Sequence, residues 1–123
     1  MEADLLVVAD AAAWEAWLEA EHAAADRVLL AIPKKGSGAP GPSLVEAIEV
    51  AMCFGWVDSR LSRVDERFSA AVFTPRRPRS SWSPRNRGVA LRLIAEGRMR
   101  PAGLLQVERA QADGRWPAEE STG

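Results

Sequence analysis

"WVDSRLSRVDERFSAAVFTP", residues 56–75, decides the fold. Two runs with strand-like spacing, 56–64 and 67–75, flank the polar pair Asp65-Glu66, so the stretch reads as a β-hairpin. Period-two alternation predicts that Trp56, Asp58, Arg60 and Ser62 share one face of the first strand. In the second strand Phe68, Ala70, Val72 and Thr74 alternate with Ser69, Ala71 and Phe73. Pro75 has no amide proton to give a ladder and closes that strand.

Upstream, Ser43 and Glu46 form a capping box. Behind it Leu44, Ala47, Ile48, Ala51 and Met52 repeat at helical spacing, which predicts an amphipathic helix over 43–54 stopped by Gly55. "RVLLAI" (27–32) is a short apolar run with β-branched content and reads as a buried strand. "PKKGSGAPGP" (33–42) is dense in proline and glycine and must be a loop. It holds the only two lysines, Lys34 and Lys35, beside fourteen arginines. That pairing suggests a place that prefers compact ammonium groups, although the order of lysine and glycine is wrong for a nucleotide P-loop. At the start of the chain, Asp10 caps a helix over 11–22 with Trp14, Trp17 and Leu18 on one stripe.

Downstream, Ser83 and Pro84 open a helix over 84–96 with Val89, Ala90, Leu93 and Ile94 inward and Gly97 as its stop. A last helix over 101–112 presents Leu104, Leu105 and Val107. Trp116 is expected to fold back on the body, and 117–123 to form a flexible tail. The order is α-β-α-β-β-α-α. This is an α+β domain over residues 1–116, with a small antiparallel or mixed three-stranded sheet (27–32, 56–64, 67–75) packed with four helices.

Charge is close to balanced overall but unevenly placed. Residues 1–58 hold ten acidic and three basic side chains, and residues 59–123 hold thirteen arginines and seven acids. Between Arg76 and Arg100 there are eight arginines and one acid, Glu96. A net charge of −1 argues against a dedicated nucleic-acid binder. No apolar stretch approaches a membrane span, and the start of the chain lacks the basic region of a secretory signal, which predicts a cytoplasmic protein. One cysteine, Cys53, and one histidine, His22, are too few for a zinc site, and no cofactor is expected. Cys53 follows an apolar helix stripe and reads as a buried small hydrophobe. No nucleophile elbow or dinucleotide fingerprint occurs.

The feature that asks for a function is "FTPRRPRSSWSPRN" (73–86). Prolines stiffen the segment around Arg76, Arg77 and Arg79, and stiff guanidinium forks lose less entropy on meeting a carboxylate or phosphate. Ser83 marks a helix start whose free N–H groups also favour anions, with Asn86 in its first turn. Trp82 offers an apolar wall. Trp56, Asp58 and Arg60 join this group if the hairpin face turns toward the loop. Asp58 then pairs with an arginine, recognises an amine or serves as a base.

At "EAIEVAMCFGWVDSRLSRVDE", "FTPRRPRSSWSPRN" and "GRMRPAGLLQVERAQADGRW" the chain resembles the YdeI/OmpD-associated, or bacteriocin-protection, family. The likeness begins at "WEAWLEAEH", takes in "IPKKGSG" and runs to Trp116. It implies a part in tolerance of bacteriocins, cationic antimicrobial peptides and related stress, and an envelope-protein partner such as a porin. Some descriptions of the family place members in the periplasm. It supplies no catalytic residues to carry over.

Together these readings lead to a non-enzymatic protein that binds an anionic small molecule or peptide in an Arg/Trp-lined pocket. The candidate residues are Lys34, Lys35, Trp56, Asp58, Arg60, Arg76, Arg77, Arg79, Trp82, Ser83 and Asn86. The alternatives are an enzyme acting on an anionic small molecule, with Asp58 or His22 as base, and a single-stranded nucleic-acid binder.

Overall fold

A computed structural model describes residues 5–117. The tail expected at 117–123 therefore lies, from residue 118 on, outside the described residues. In chain order the elements are β1 (Leu5–Leu6), α1 (Ala11–Glu21), β2 (Val28–Pro33), α2 (Leu44–Cys53), β3 (Trp56–Arg63), β4 (Phe68–Pro75), α3 (Pro84–Ala95) and α4 (Pro101–Ala112).

The sheet has four strands, not the three expected, in the order β1-β2-β4-β3. The added strand pairs parallel with β2, Leu5 opposite Leu29 and Leu6 opposite Leu30, while β2, β4 and β3 run antiparallel. The sheet is thus mixed. Two residues are too few to show alternation, so β1 leaves no periodic signal and exists through its tertiary pairing.

The hairpin forms as read, with one departure. Asp58 lies opposite Phe73, but Arg60 lies opposite Val72, because the register slips between them. A β-bulge of this kind puts an extra residue, Ser59, into the edge strand and re-aims the side chains beyond it. Arg60 and Ser62 therefore turn to the other face from Asp58, which corrects the single shared face predicted from alternation. At the hairpin end, Asp65 Oδ1 accepts from the backbone N–H groups of Arg67 (2.8 Å) and Phe68 (2.9 Å). Those bonds, Phe68's first, hold the Asp65 carboxyl below its ordinary value. A depressed carboxylate contributes stability above its unfolded-state value and loses it as pH falls through its folded-state value. The melting-temperature advantage of the native chain over Asp65→Asn should accordingly be full at neutral pH and vanish in acid below the usual carboxylate range.

Helix starts follow their caps. Asp10 Oδ1 accepts from Ala13 N (2.9 Å), and Ser43 and Glu46 bond each other's backbone as a capping box. Ser83 Oγ accepts from Asn86 N (3.0 Å). The helices pack on the sheet face carrying Leu30 and Phe73, around a core that includes Trp14, Leu18, Ala47, Ala51, Leu93 and Val107. Trp14 is fully buried, its Nε1 donates to Ala47 O (3.0 Å), and its ring lies 5.2 Å from that of Phe73. One side chain therefore joins α1, α2 and the sheet.

In α4 the buried stripe is Gly103, Val107 and Ala110, whereas Leu105 is 44% exposed. Apolarity alone favours Leu104 and Leu105; close approach of backbones favours the glycine. In α3, Ala90 and Leu93 are buried and Ile94 stands 37% exposed. The uneven charge acquires a structural role here. Arg92 and Arg98 reach Glu49 of α2, and Arg100 reaches Glu15 (2.9 Å) and Glu19 (3.3 Å) of α1. Arginines of α3 and of the turn that follows it are thereby laced to acids of α1 and α2, at exposed or half-exposed positions where each pair contributes little. Among the described residues, no helix is long and apolar enough to cross a membrane.

Candidate functional site

Past β4 the chain runs through residues 76–83 to reach α3. Arg76 enters first, fixed by its own N–H, which donates to Gly55 O (2.8 Å). Its side chain turns inward and is only 6% exposed. Nη1 donates to Ser80 Oγ (3.0 Å) and to Ser81 O (3.0 Å), and the guanidinium carbon sits 4.0 Å from the centre of the Trp82 ring. Such stacking of a guanidinium on an indole is attractive, the more so when both are desolvated. Among the described residues no carboxylate comes within 4 Å of Arg76. Burial pushes its pKa down, the Arg115 charge adds to that, and Asp58 opposes it from farther off. Arginine starts so high that it remains a cation.

Arg115 closes the other side. Its Nε donates to Asp113 Oδ1 (2.8 Å) and its Nη1 to Ser80 O. Ser80 is thus held by both guanidiniums, Arg76 on the hydroxyl and Arg115 on the carbonyl. Trp116 brings its ring to 5.2 Å from that of Trp82, as its expected return to the body requires. Two donors in this cluster, Trp82 Nε1 and Arg115 Nη2, are buried without a hydrogen-bond partner. Buried donors are satisfied in the great majority of cases, so such a pair marks an unusual place. Arg79, Asp113 and Arg115 line a hollow of about 360 Å³ beside it. Two guanidiniums and one carboxylate therefore line this hollow, and Arg76 lies outside its lining.

The structure brings Arg76 and Trp82 together, and Arg79 lines the neighbouring hollow with Arg115. Arg115 is absent from the candidates read in the sequence, and the available signal was its place next to Trp116. Arg77 points into solvent. Trp56 does not join the loop: it is 2% exposed and packs edge-on against Trp17, ring centres 6.0 Å apart. Ser83 commits its hydroxyl to the helix cap. Lys34 and Lys35 follow β2, whose last residue pairs with Phe68, so they lie at the far end of β4, roughly 25 Å from the arginine loop at about 3.3 Å per residue. Arg60 is turned to the opposite sheet face. Asp58 and Asn86 instead line a separate hollow of about 380 Å³ between α2 and α3.

Neither Cys53 nor His22 belongs to the cluster. Cys53 is 4% exposed, and burial is the main cause that raises its thiol pKa, which disfavours the nucleophilic thiolate. His22 Nδ1 donates to Leu18 O (2.7 Å) and its ring rests against Phe54. It serves as the C-cap of α1. Among the described residues, no group of three or more His, Cys, Asp or Glu side chains is placed to hold a metal ion.

Residues 6–106 match the family described as Domain of unknown function (DUF8412). The chain belongs to this family. The DUF8412 match runs from β1 into α4, so it takes in the sheet and the arginine loop and ends before Arg115 and Trp116. No curated protein and no solved structure matches the chain.

Proposed function

We propose that the chain is a non-enzymatic binding protein whose Arg79 and Arg115 take the anionic group of a small molecule or peptide beside the buried charge of Arg76. The resemblance to the YdeI/OmpD-associated family supports placing this binding in tolerance of bacteriocins or other antimicrobial stress, with an envelope protein as the partner. The observation that carries the binding claim is the charge of Arg76, nine-tenths buried with no carboxylate within 4 Å among the described residues. A desolvated charge is costly unless it is paired, and two neutral serine acceptors only partly replace water. An anion held by Arg79 and Arg115 would compensate it from the hollow, with Trp82 as a rigid backing. A positive cluster repels cationic peptides, so a peptide ligand would engage through a carboxylate or phosphate.

Calorimetric titration with inorganic phosphate and with acetate, at low ionic strength, tests this. Arg79 is exposed, so Arg79→Ala leaves the fold intact. A hydrogen bond to a charged group contributes about 1.5–3 kcal/mol, so this variant should weaken binding roughly tenfold or more. Arg77→Ala should bind like the native chain. Equal affinity of native and Arg79→Ala proteins, or no heat with either anion, would overturn the reading.

A further inference from the structure

The hollow between α2 and α3 is built on other principles and supports an inference independent of the arginine cluster. Leu44, Val45 and Ile48 of α2 and Val89 of α3 give it an aliphatic floor. Val45 is 63% exposed, an unusual degree for a valine on a helix that packs against the core. Asp58 of β3 and Arg85 of α3 also line it, and among the described residues neither forms an ion pair. Glu49, the other acid there, is already held by Arg92.

The bulge explains why Asp58 stays uncommitted. In a regular strand Arg60 would share its face two residues on, within reach of the carboxylate. The slipped register puts Arg60 opposite Val72 instead, while Asp58 stays opposite Phe73 on the helix-facing side. A bulge re-aims side chains, and here it separates an acid from its nearest base on the same strand.

We infer that this hollow binds a short apolar peptide with free ends, two or three residues long. Its aliphatic side chains lie on the Leu44–Ile48 floor, its α-ammonium faces Asp58 and its α-carboxylate faces Arg85. One uncommitted charge of each sign matches a zwitterion better than a pure cation or anion. The volume, about 380 Å³, falls at the small end of ligand sites.

The test uses the whole chain and the dipeptide Leu-Leu as probe, monitored through amide chemical shifts in NMR. Saturable shifts at Val45, Ile48 and Val89 are expected. Blocking both ends, as in N-acetyl-Leu-Leu-amide, should weaken binding at least about tenfold. Asp58→Asn and Arg85→Gln should each weaken the free dipeptide about fivefold or more and leave the blocked one unchanged. Both substituted residues are exposed, so the fold is retained. Equal binding of free and blocked dipeptides, or no shifts at millimolar probe, would overturn the inference. So would groove signals that change with protein concentration alone, since that outcome assigns the surface to a second copy. Phosphate binding at Arg79 is measured separately, so failure of one site leaves the other standing.

Discussion

Trp14→Ala should lower the free energy of unfolding by about 3–5 kcal/mol, the cost typical of truncating a fully buried tryptophan. Three effects act together. The indole fills space between α1 and the sheet against Phe73, and its removal leaves a cavity whose walls belong to separate elements and cannot all close in. Its Nε1–H is the donor to Ala47 O inside α2, which would lose that partner. The stacked contact with Trp17, ring centres 5.6 Å apart, goes as well. Trp17 itself is only partly buried, so Trp17→Ala should cost clearly less. Urea unfolding distinguishes them: the midpoint of Trp14→Ala should fall steeply with little change in slope. A domain of this size is stable by about 5–15 kcal/mol in all, so this one side chain decides a large share.

Gly103→Ala should destabilise by about 1–3 kcal/mol, the usual scale of overpacking, although alanine is the better helix former. An added Cβ would overlap Cys53 O and lie 2.7 Å from Met52 O. Both are backbone atoms, and Cys53 O also accepts from Arg100 N (3.0 Å), so the end of α2 cannot simply move aside. Overpacking of this kind commonly costs about 1–3 kcal/mol or more, against a propensity gain of up to about 1 kcal/mol. Leu105→Ala, on the exposed side of the same helix, should change stability far less. A thermal melt of the two variants would settle the order, and a stable Gly103→Ala protein would mean that α4 does not seat against α2 at this distance.

These two positions also show which parts of the fold were legible. Asp10, Ser43 and Ser83 announce their helices because a cap acts on backbone donors two or three residues away, wholly within local sequence. The hairpin is readable for the same reason, since Asp65 organises its own turn. Gly103 gives no such signal because a glycine adds nothing to an apolar stripe; its value lies in the α2 carbonyls it lets approach, which are remote in sequence. The slip at Ser59 is a matter of register between two strands, and no alternation in one strand reports it. β1 is invisible until Leu29 and Leu30 are beside it.

The candidate site was half legible for related reasons. Proline spacing and arginine density singled out the segment after β4, and Trp82 proved to be its partner. Whether an indole faces a ligand or the core depends on which elements cover it, and Trp56 is covered by Trp17. Arg115 is thirty-five residues beyond Ser80, the residue it bonds. Its role depends on the last described turn of chain returning to the sheet end.

The most direct measurement of the central claim is a titration of the isotopically labelled chain with inorganic phosphate, observed at the five tryptophan indole N–H signals. The Trp82 signal should move along a saturating curve, because its ring carries Arg76 and its Nε1 has no partner. The Trp14 signal, bonded to Ala47 O, should stay in place. A Trp82 signal that stays still, or five signals that drift together with ionic strength, would contradict anion binding at this cluster.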